Sequence, residues 1–372
     1  MRSWFSLLLL SLLLAACIPP GLARLLPPAA TVAATTTPVP PTSTPGPTPE
    51  GGAGPYIFPP GINPLTGLPL DDPARLTLRP VAVKISNAPP LVRPQDGIGQ
   101  ADVVFEHYAE GGLTRFTAVF LSQLPRRVGS VRSARLIDVE IPEMFESYLV
   151  YAGSSGGVRE RIEASQFAER AFYGVEVGPP AYYRDEAIPI PHNLFADLVA
   201  VHDLAARRGV NTPPAPNYSA LAFSPAPPFP GEPATSIDLR YNASGVYWQY
   251  NSQDGLYYRW SDGQPHFDRT LNRQVSAANV VVLYVHHVED PTIVESESAG
   301  HQSFSIQIQF WGAGDALVFR DGQVYRARWE RPIEHYYDMF VLRDERGEVM
   351  RLKPGVTFFQ FVPLDFDALT WE

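Results

Sequence analysis

The chain has 372 residues, 45% hydrophobic and 18% charged, which excludes a disordered chain and leaves room for two ordinary domains. Its formal net charge of -10 excludes a general nucleic-acid binder and a polybasic grip on anionic lipid. A single cysteine, Cys17, excludes an intramolecular disulfide and a cysteine-rich metal site.

In chain order, residues 1–16 open with Arg2, continue as an apolar run from Phe5 to Leu14 and end in Ala15-Ala16. The run is too short to span a membrane comfortably and reads as a secretory signal. Leu14-Ala15-Ala16-Cys17 resembles the bacterial lipobox, which implies cleavage before Cys17 and lipidation of its sulfur. Residues 17–60 are rich in Pro, Thr, Ala and Gly, with Arg24 and Glu50 as their charges, and read as a disordered tether. In polyproline form such a segment reaches roughly 100 Å. The expected address is the extracytoplasmic face of the bacterial cell membrane.

Residues 61–211 mix strands with helices. Residues 79–86 and 147–151 read as strands, and 101–122 as strand, Gly111-Gly112 turn, strand. The pattern predicts amphipathic helices over 158–172 and 192–209, the second with Asn193 as N-cap and Gly209 as stop. Residues 212–233, rich in proline, read as a connection. Beyond them, 234–372 is a succession of short strands with a strong hairpin signal at Asp321-Gly322. The fold class expected is α+β: a layered mixed α/β N-terminal domain, then a mostly antiparallel β domain.

The motifs "NPLTGLPL", "RPVAVKISN", "ADVVFEHYAEGGLTRFTAVF", "VGSVRSAR" and "RDEAIPIPHNLF", with "NVVVLYV" and "PGVTFF" near the end, resemble the YerB-like lipoproteins. That family carries a paired N- and C-terminal domain of unknown function, and the likeness covers roughly residues 62–372. It implies a layered α/β structure with a β-rich C-terminal part and brings no activity with it. The chain departs from the family pattern at Tyr151-Ala152-Gly153-Ser154-Ser155, where a histidine-bearing run is common, and at Phe358, where tryptophan is common.

Several groups are candidate binding residues. Arg132 and Arg135 stand three apart beside Ser133; if Ser130 or Ser133 opens a helical turn, both guanidiniums share a face suited to a carboxylate or phosphate. They can equally be paired internally by Glu106 or Glu110, as can Arg115. As an acid pair for glycoside chemistry, Glu106 and Glu110 would sit ~13 Å apart on one strand face, too far unless the glycines bend the strand. The loop Gly153-Ser154-Ser155 after a buried strand can aim N–H groups at an anion, but lacks a Walker lysine and dinucleotide spacing. His192 and Asn193 stand before the second helix, His192 as a structural bond or a ligand contact. His286 and His287 point to opposite strand faces, and no zinc signature, metal site or cofactor motif is present. Five of six tryptophans, including Trp248 and Trp329, lie in the β-rich half, where core packing competes with sugar or peptide stacking. The leading expectation is a non-catalytic binding or scaffolding protein for an anionic cell-wall polymer, peptide or envelope protein. An envelope hydrolase or transferase using Glu106, Glu110 or His192 is the alternative.

Overall fold

The computed structural model describes residues 52–215, 219–298, 300–332 and 338–372. Cys17, the signal and most of the tether lie outside them. Among the described residues no helix is long and apolar enough to cross a membrane.

An eleven-stranded mixed sheet forms the centre. Its main strands are β1 (Val81–Ser86), β2 (Val103–Tyr108), β3 (Thr114–Phe120), β4 (Tyr148–Tyr151), β5 (Ala171–Tyr173), β6 (Asn279–Tyr284), β7 (Gly312–Arg320), β8 (Gln323–Arg331), β9 (Val341–Asp344) and β10 (Thr357–Val362). Their spatial order is β9-β8-β7-β6-β10-β2-β3-β1-β4-β5. The fold is α+β, with a mixed α/β N-terminal part and a mostly antiparallel C-terminal part. Strands from before and after the proline-rich connection share this sheet: β2 runs parallel to β10, with Val103 opposite Thr357 and Glu106 opposite Gln360. β1, β2 and β10 are buried throughout, as their near-continuous β-branched and aromatic composition requires.

One face of the sheet packs on a second, six-stranded sheet that includes Ser236–Tyr241, Ser244–Asn251 and Leu256–Ser261, through Trp248, Tyr257, Val104, Phe116 and Phe358. Trp248 is fully buried, with its ring 5.0 Å from that of Phe358. The other face is covered by helix α1 (Ile137–Met144) and by Phe310, Phe340 and Leu352. Asp321 and Gly322, at φ 55° and 69°, turn β7 into β8. That positive-φ pair is the twist-matched hairpin turn that Asp-Gly signals.

Three local expectations change. The helix predicted over 158–172 is α2 (Gly156–Glu163), and Ala171–Tyr173 instead forms strand β5 alongside β4. The apolar positions that suggested one helix serve two elements: Val158 and Ile162 pack under α2, whereas Phe172 is buried beside Tyr148. The second helix, α3 (Leu198–Arg208), starts later than 192, because Leu194–Ala196 pairs with Val128–Gly129. Its N-cap is Asp197, whose carboxylate accepts from the Val199 and Ala200 amides, while Gly209 ends it at φ 71°. Finally, neither Ser130 nor Ser133 opens a helix; Val131 forms an isolated bridge with Ile85, residues 132–135 belong to no helix or strand, and the first α-helix begins at Ile137.

A long hairpin, His287–Ser298 and His301–Ile308, reaches from the C-terminal half across to α2. Its Ile293 is buried among Tyr151, Val158, Ile162 and Phe167. The fit depends on Gly157, where an added Cβ would come within 2.6 Å of the Ile293 side chain.

Candidate functional site

The segment 131–134 is laced across the carboxyl ends of the parallel strands β1 and β4. The Arg132 amide donates to Lys84 O (2.9 Å), the Ala152 amide to Arg132 O (2.9 Å) and the Ala134 amide to Gly153 O (2.7 Å). On its other side the Val131 amide donates to Leu194 O at 2.7 Å, which brings His192 beside Arg132. Carboxyl ends of parallel strands are where α/β layers place ligands. Thus Arg115, Arg132, Ser133, Arg135, the 153–155 loop and His192 gather in one region.

Their charges are unequally satisfied. Arg135 donates from Nε to Glu110 Oε2 (2.6 Å) and from Nη1 to Ala134 O (2.8 Å), and it faces Glu295 at 3.5 Å. Arg115 donates to Ser133 O at 2.7 Å. Arg132 makes no side-chain hydrogen bond among the described residues, and its Nε is sealed from water without a partner. Burial, then the facing Arg135 guanidinium, pulls Arg115 down to about 9 despite Glu110. The same two causes lower Arg132. His192 is lowered by burial and by Arg132, and its Nδ1 is buried without a partner. Ser155 donates to Glu295 Oε1 at 3.0 Å rather than capping α2, and Ser154 lies in the same half-buried loop. Gly153 faces the Ser133 hydroxyl and the Tyr173 ring, where a Cβ would sit 3.8 and 3.6 Å away. Asn193 does not cap a helix; its Oδ1 accepts from Arg184 at 2.6 Å.

Beneath this cluster is a fully buried polar group. Lys84 Nζ donates to Asp138 Oδ2 (2.7 Å), His107 Nε2 (2.6 Å) and Thr117 Oγ1 (3.1 Å). Thr117 donates to Asp138 Oδ1, and the Arg135 amide to Asp138 Oδ2, each at 2.7 Å. His107 Nδ1 donates to Tyr108 O at 2.9 Å, so Nε2 is free to accept. Burial pulls Lys84 down to about 8 against the pull of Asp138. Burial pushes Asp138 up, and the Lys84 charge and hydrogen bonds outweigh it, leaving Asp138 below the usual carboxylate value. Asp138 thereby fixes the backbone from which Arg135 projects.

The end of β2 at Tyr108 and the turn that follows it separate Glu106 from Glu110. Glu106 points to the sheet face opposite that of its neighbour His107 and is fully buried; its Oε2 accepts from Arg259 (2.8 Å), its Oε1 from Thr114 (2.8 Å) and Asn87 (3.1 Å). Arg259 also donates to His266 Nδ1 at 2.7 Å, and His266 Nε2 to Gln95 Oε1 at 2.6 Å. Glu110 lies beyond the end of β2, in a turn at residues 110–112, and faces Arg135. The two acids therefore do not flank a common space. Among the described residues no group of three His, Cys, Asp or Glu side chains could hold a metal.

The model of the N-terminal domain of the protein of unknown function DUF3048 matches residues 65–211, and that of its C-terminal domain matches residues 237–359. The chain belongs to the YerB-like family. It is 29% identical over 310 residues to "Putative lipoprotein YerB" of Bacillus subtilis (strain 168), covering 82% of this chain and 87% of that one. The crystal structure of the YerB protein from Bacillus subtilis matches with a TM-score of 0.69 at 28% identity, over 84% of this chain and 99% of that chain.

Two residues of this YerB-like chain escaped sequence reasoning. Glu295 reaches the arginine cluster from the hairpin, and Arg259 reaches Glu106 from the second sheet. Each contact joins positions more than 150 residues apart along the chain. Glu295 sits in an alternating Val-Glu-Ser-Glu-Ser run that reads as an ordinary solvated strand, so no local signal marks it.

Proposed function

We propose that this protein is a lipid-anchored envelope lipoprotein that binds an anionic ligand without transforming it. Cys17, outside the described residues, carries the anchor, and the Pro/Thr-rich tether holds the folded part away from the outer face of the cell membrane. The curated relative's name, a lipoprotein, supports the anchor.

The observation that carries the binding reading is Arg132. It is a half-buried guanidinium beside two others, with no side-chain hydrogen bond among the described residues and a dry, unpartnered Nε. Lys84, Arg115, Arg132 and Arg135 face three carboxylates, those of Asp138, Glu110 and Glu295. A carboxylate or phosphate arriving at the terminal nitrogens of Arg132 relieves the mutual repulsion and accepts their hydrogen bonds. An anionic cell-wall polymer or peptide is the ligand class, with Arg132 gripping it and Arg115, His192 and the 153–155 loop around it. The separation of Glu106 from Glu110, and the engagement of Ser155 by Glu295, favour binding over hydrolysis.

Calorimetric titration with a short poly(glycerol phosphate) tests this. Saturable binding is expected, weakened roughly tenfold or more by Arg132→Gln, as for loss of a charged hydrogen bond. Absence of saturable binding, or equal affinity in the variant, defeats the proposal.

A further inference from the structure

The long hairpin, His287–Ser298 with His301–Ile308, forms a sheet of its own and is rooted in the core beside the central sheet by Val285 and Ile308. Its ladder is irregular between Asp290 and Val294 and again between Val294 and Ser296, and Pro291 there has no N–H to give. Such irregularities bend a strand and re-aim its side chains. Here Ile293 and Glu295, two residues apart, both reach the N-terminal half. Ile293 packs on α2 over Gly157.

Glu295 goes to the arginine cluster, and its side chain is 3% exposed. Its Oε1 accepts from Ser155 (3.0 Å) and from the hairpin's own Ser305 (2.8 Å), and its Oε2 lies 3.5 Å from Arg135 Nη1. Ser155 and Arg135 belong to the region assigned above to an anionic ligand. The hairpin therefore delivers a carboxylate of this chain to groups suited to a foreign one. Neighbouring Arg132 has no such partner among the described residues.

We propose that the hairpin is a self-inhibitory strap. Glu295 occupies one anion position of the cluster, and a polyanion seated on Arg132 displaces it to reach Arg135 and the 153–155 loop. The inference rests on the anion reading and narrows its ligand to a chain of closely spaced anionic groups. Release withdraws Ile293 from its apolar contacts, so opening the strap opposes binding. A ligand moves an equilibrium only by its preference for one state, and a single phosphate on Arg132 has none. A second phosphate on the same polymer meets Arg135 at high effective concentration and supplies that preference. Apparent affinity for the polymer scales with the fraction of chains whose strap is open, so loosening the hairpin tightens binding.

The test is calorimetric titration of the intact chain with poly(glycerol phosphate), together with amide hydrogen exchange. Glu295→Gln removes the competing charge and tightens the polymer roughly tenfold, the worth of a charged hydrogen bond. Gly157→Val loosens the hairpin through Ile293, leaves every charge in place and also tightens the polymer severalfold. In the wild type the polymer speeds exchange over residues 287–308 while the central sheet stays protected. Glycerol phosphate at equal phosphate concentration does not. Polymer affinity unmoved by both variants, hairpin exchange unmoved or slowed by bound polymer, or an equal effect of glycerol phosphate overturns the strap and leaves the anion reading standing. Absence of polymer binding in the wild type and both variants defeats the anion reading, and the strap with it.

Discussion

Replacing Lys84 with methionine removes the ammonium from a site where it and Asp138 are both fully buried. Asp138 keeps its bonds from Thr117 and the Arg135 amide, but loses the opposite charge at 2.7 Å. His107 Nε2 loses its 2.6 Å donor. Breaking one side of a desolvated ion pair costs about 3–5 kcal/mol, because the remaining charge stays buried. At roughly 2 °C per kcal/mol for a chain of this size, the melting temperature falls by about 6–10 °C. The pair Lys84→Met/Asp138→Leu removes both charges and recovers most of that loss, since apolar replacements of buried pairs are commonly near neutral. Urea unfolding followed by fluorescence measures all three proteins. The single variant's deficit also shrinks toward acid pH, where protonation removes the uncompensated Asp138 charge. A single variant within ~1 kcal/mol of wild type, or a double variant no better than the single, refutes the reasoning.

Burial holds His202 and His287 down to about 4, and His107 and His266 well below the ordinary histidine value. Between about pH 4 and 6.5 the unfolded chain binds these protons and the folded chain does not, so stability falls as pH falls through that window. His202 and His287 each contribute on the order of 3 kcal/mol across it. His202→Gln should flatten the slope of unfolding free energy against pH; an unchanged slope contradicts the assignment. Gly157→Val would drive a side chain into Ile293. Overpacking of about 1–3 kcal/mol should loosen the hairpin and raise amide exchange over residues 287–308 while the central sheet stays protected; unchanged exchange there counts against the contact.

The strands of the central sheet were legible from their β-branched and apolar composition, an almost unbroken run in Asn279–Tyr284 and one interrupted by Lys84 in Val81–Ser86. Asp321-Gly322 was legible because its backbone conformation is a local demand. Helix boundaries were less so. Asn193 and Asp197 are both good caps by type, and only the pairing of Leu194–Ala196 as a strand decides for Asp197. The arginine cluster could be located from Arg132 and Arg135, and internal pairing was among the alternatives. Which acid meets which arginine depends on strand face and on chain segments far away. Glu106 turns toward Arg259, and Arg135 is met by Glu110 and Glu295.

Synthesis runs from the N-terminus, yet β10, at residues 357–362, lies between β2 and β6 in the middle of the main sheet. Until nearly the whole polypeptide has reached the compartment where it folds, the neighbours of that strand have nothing to pair with on that side, and each shows an open apolar edge. A premature stop that removes only the tail from Thr357 onward therefore deletes a keystone rather than a trimming, and leaves two adhesive borders facing an empty slot.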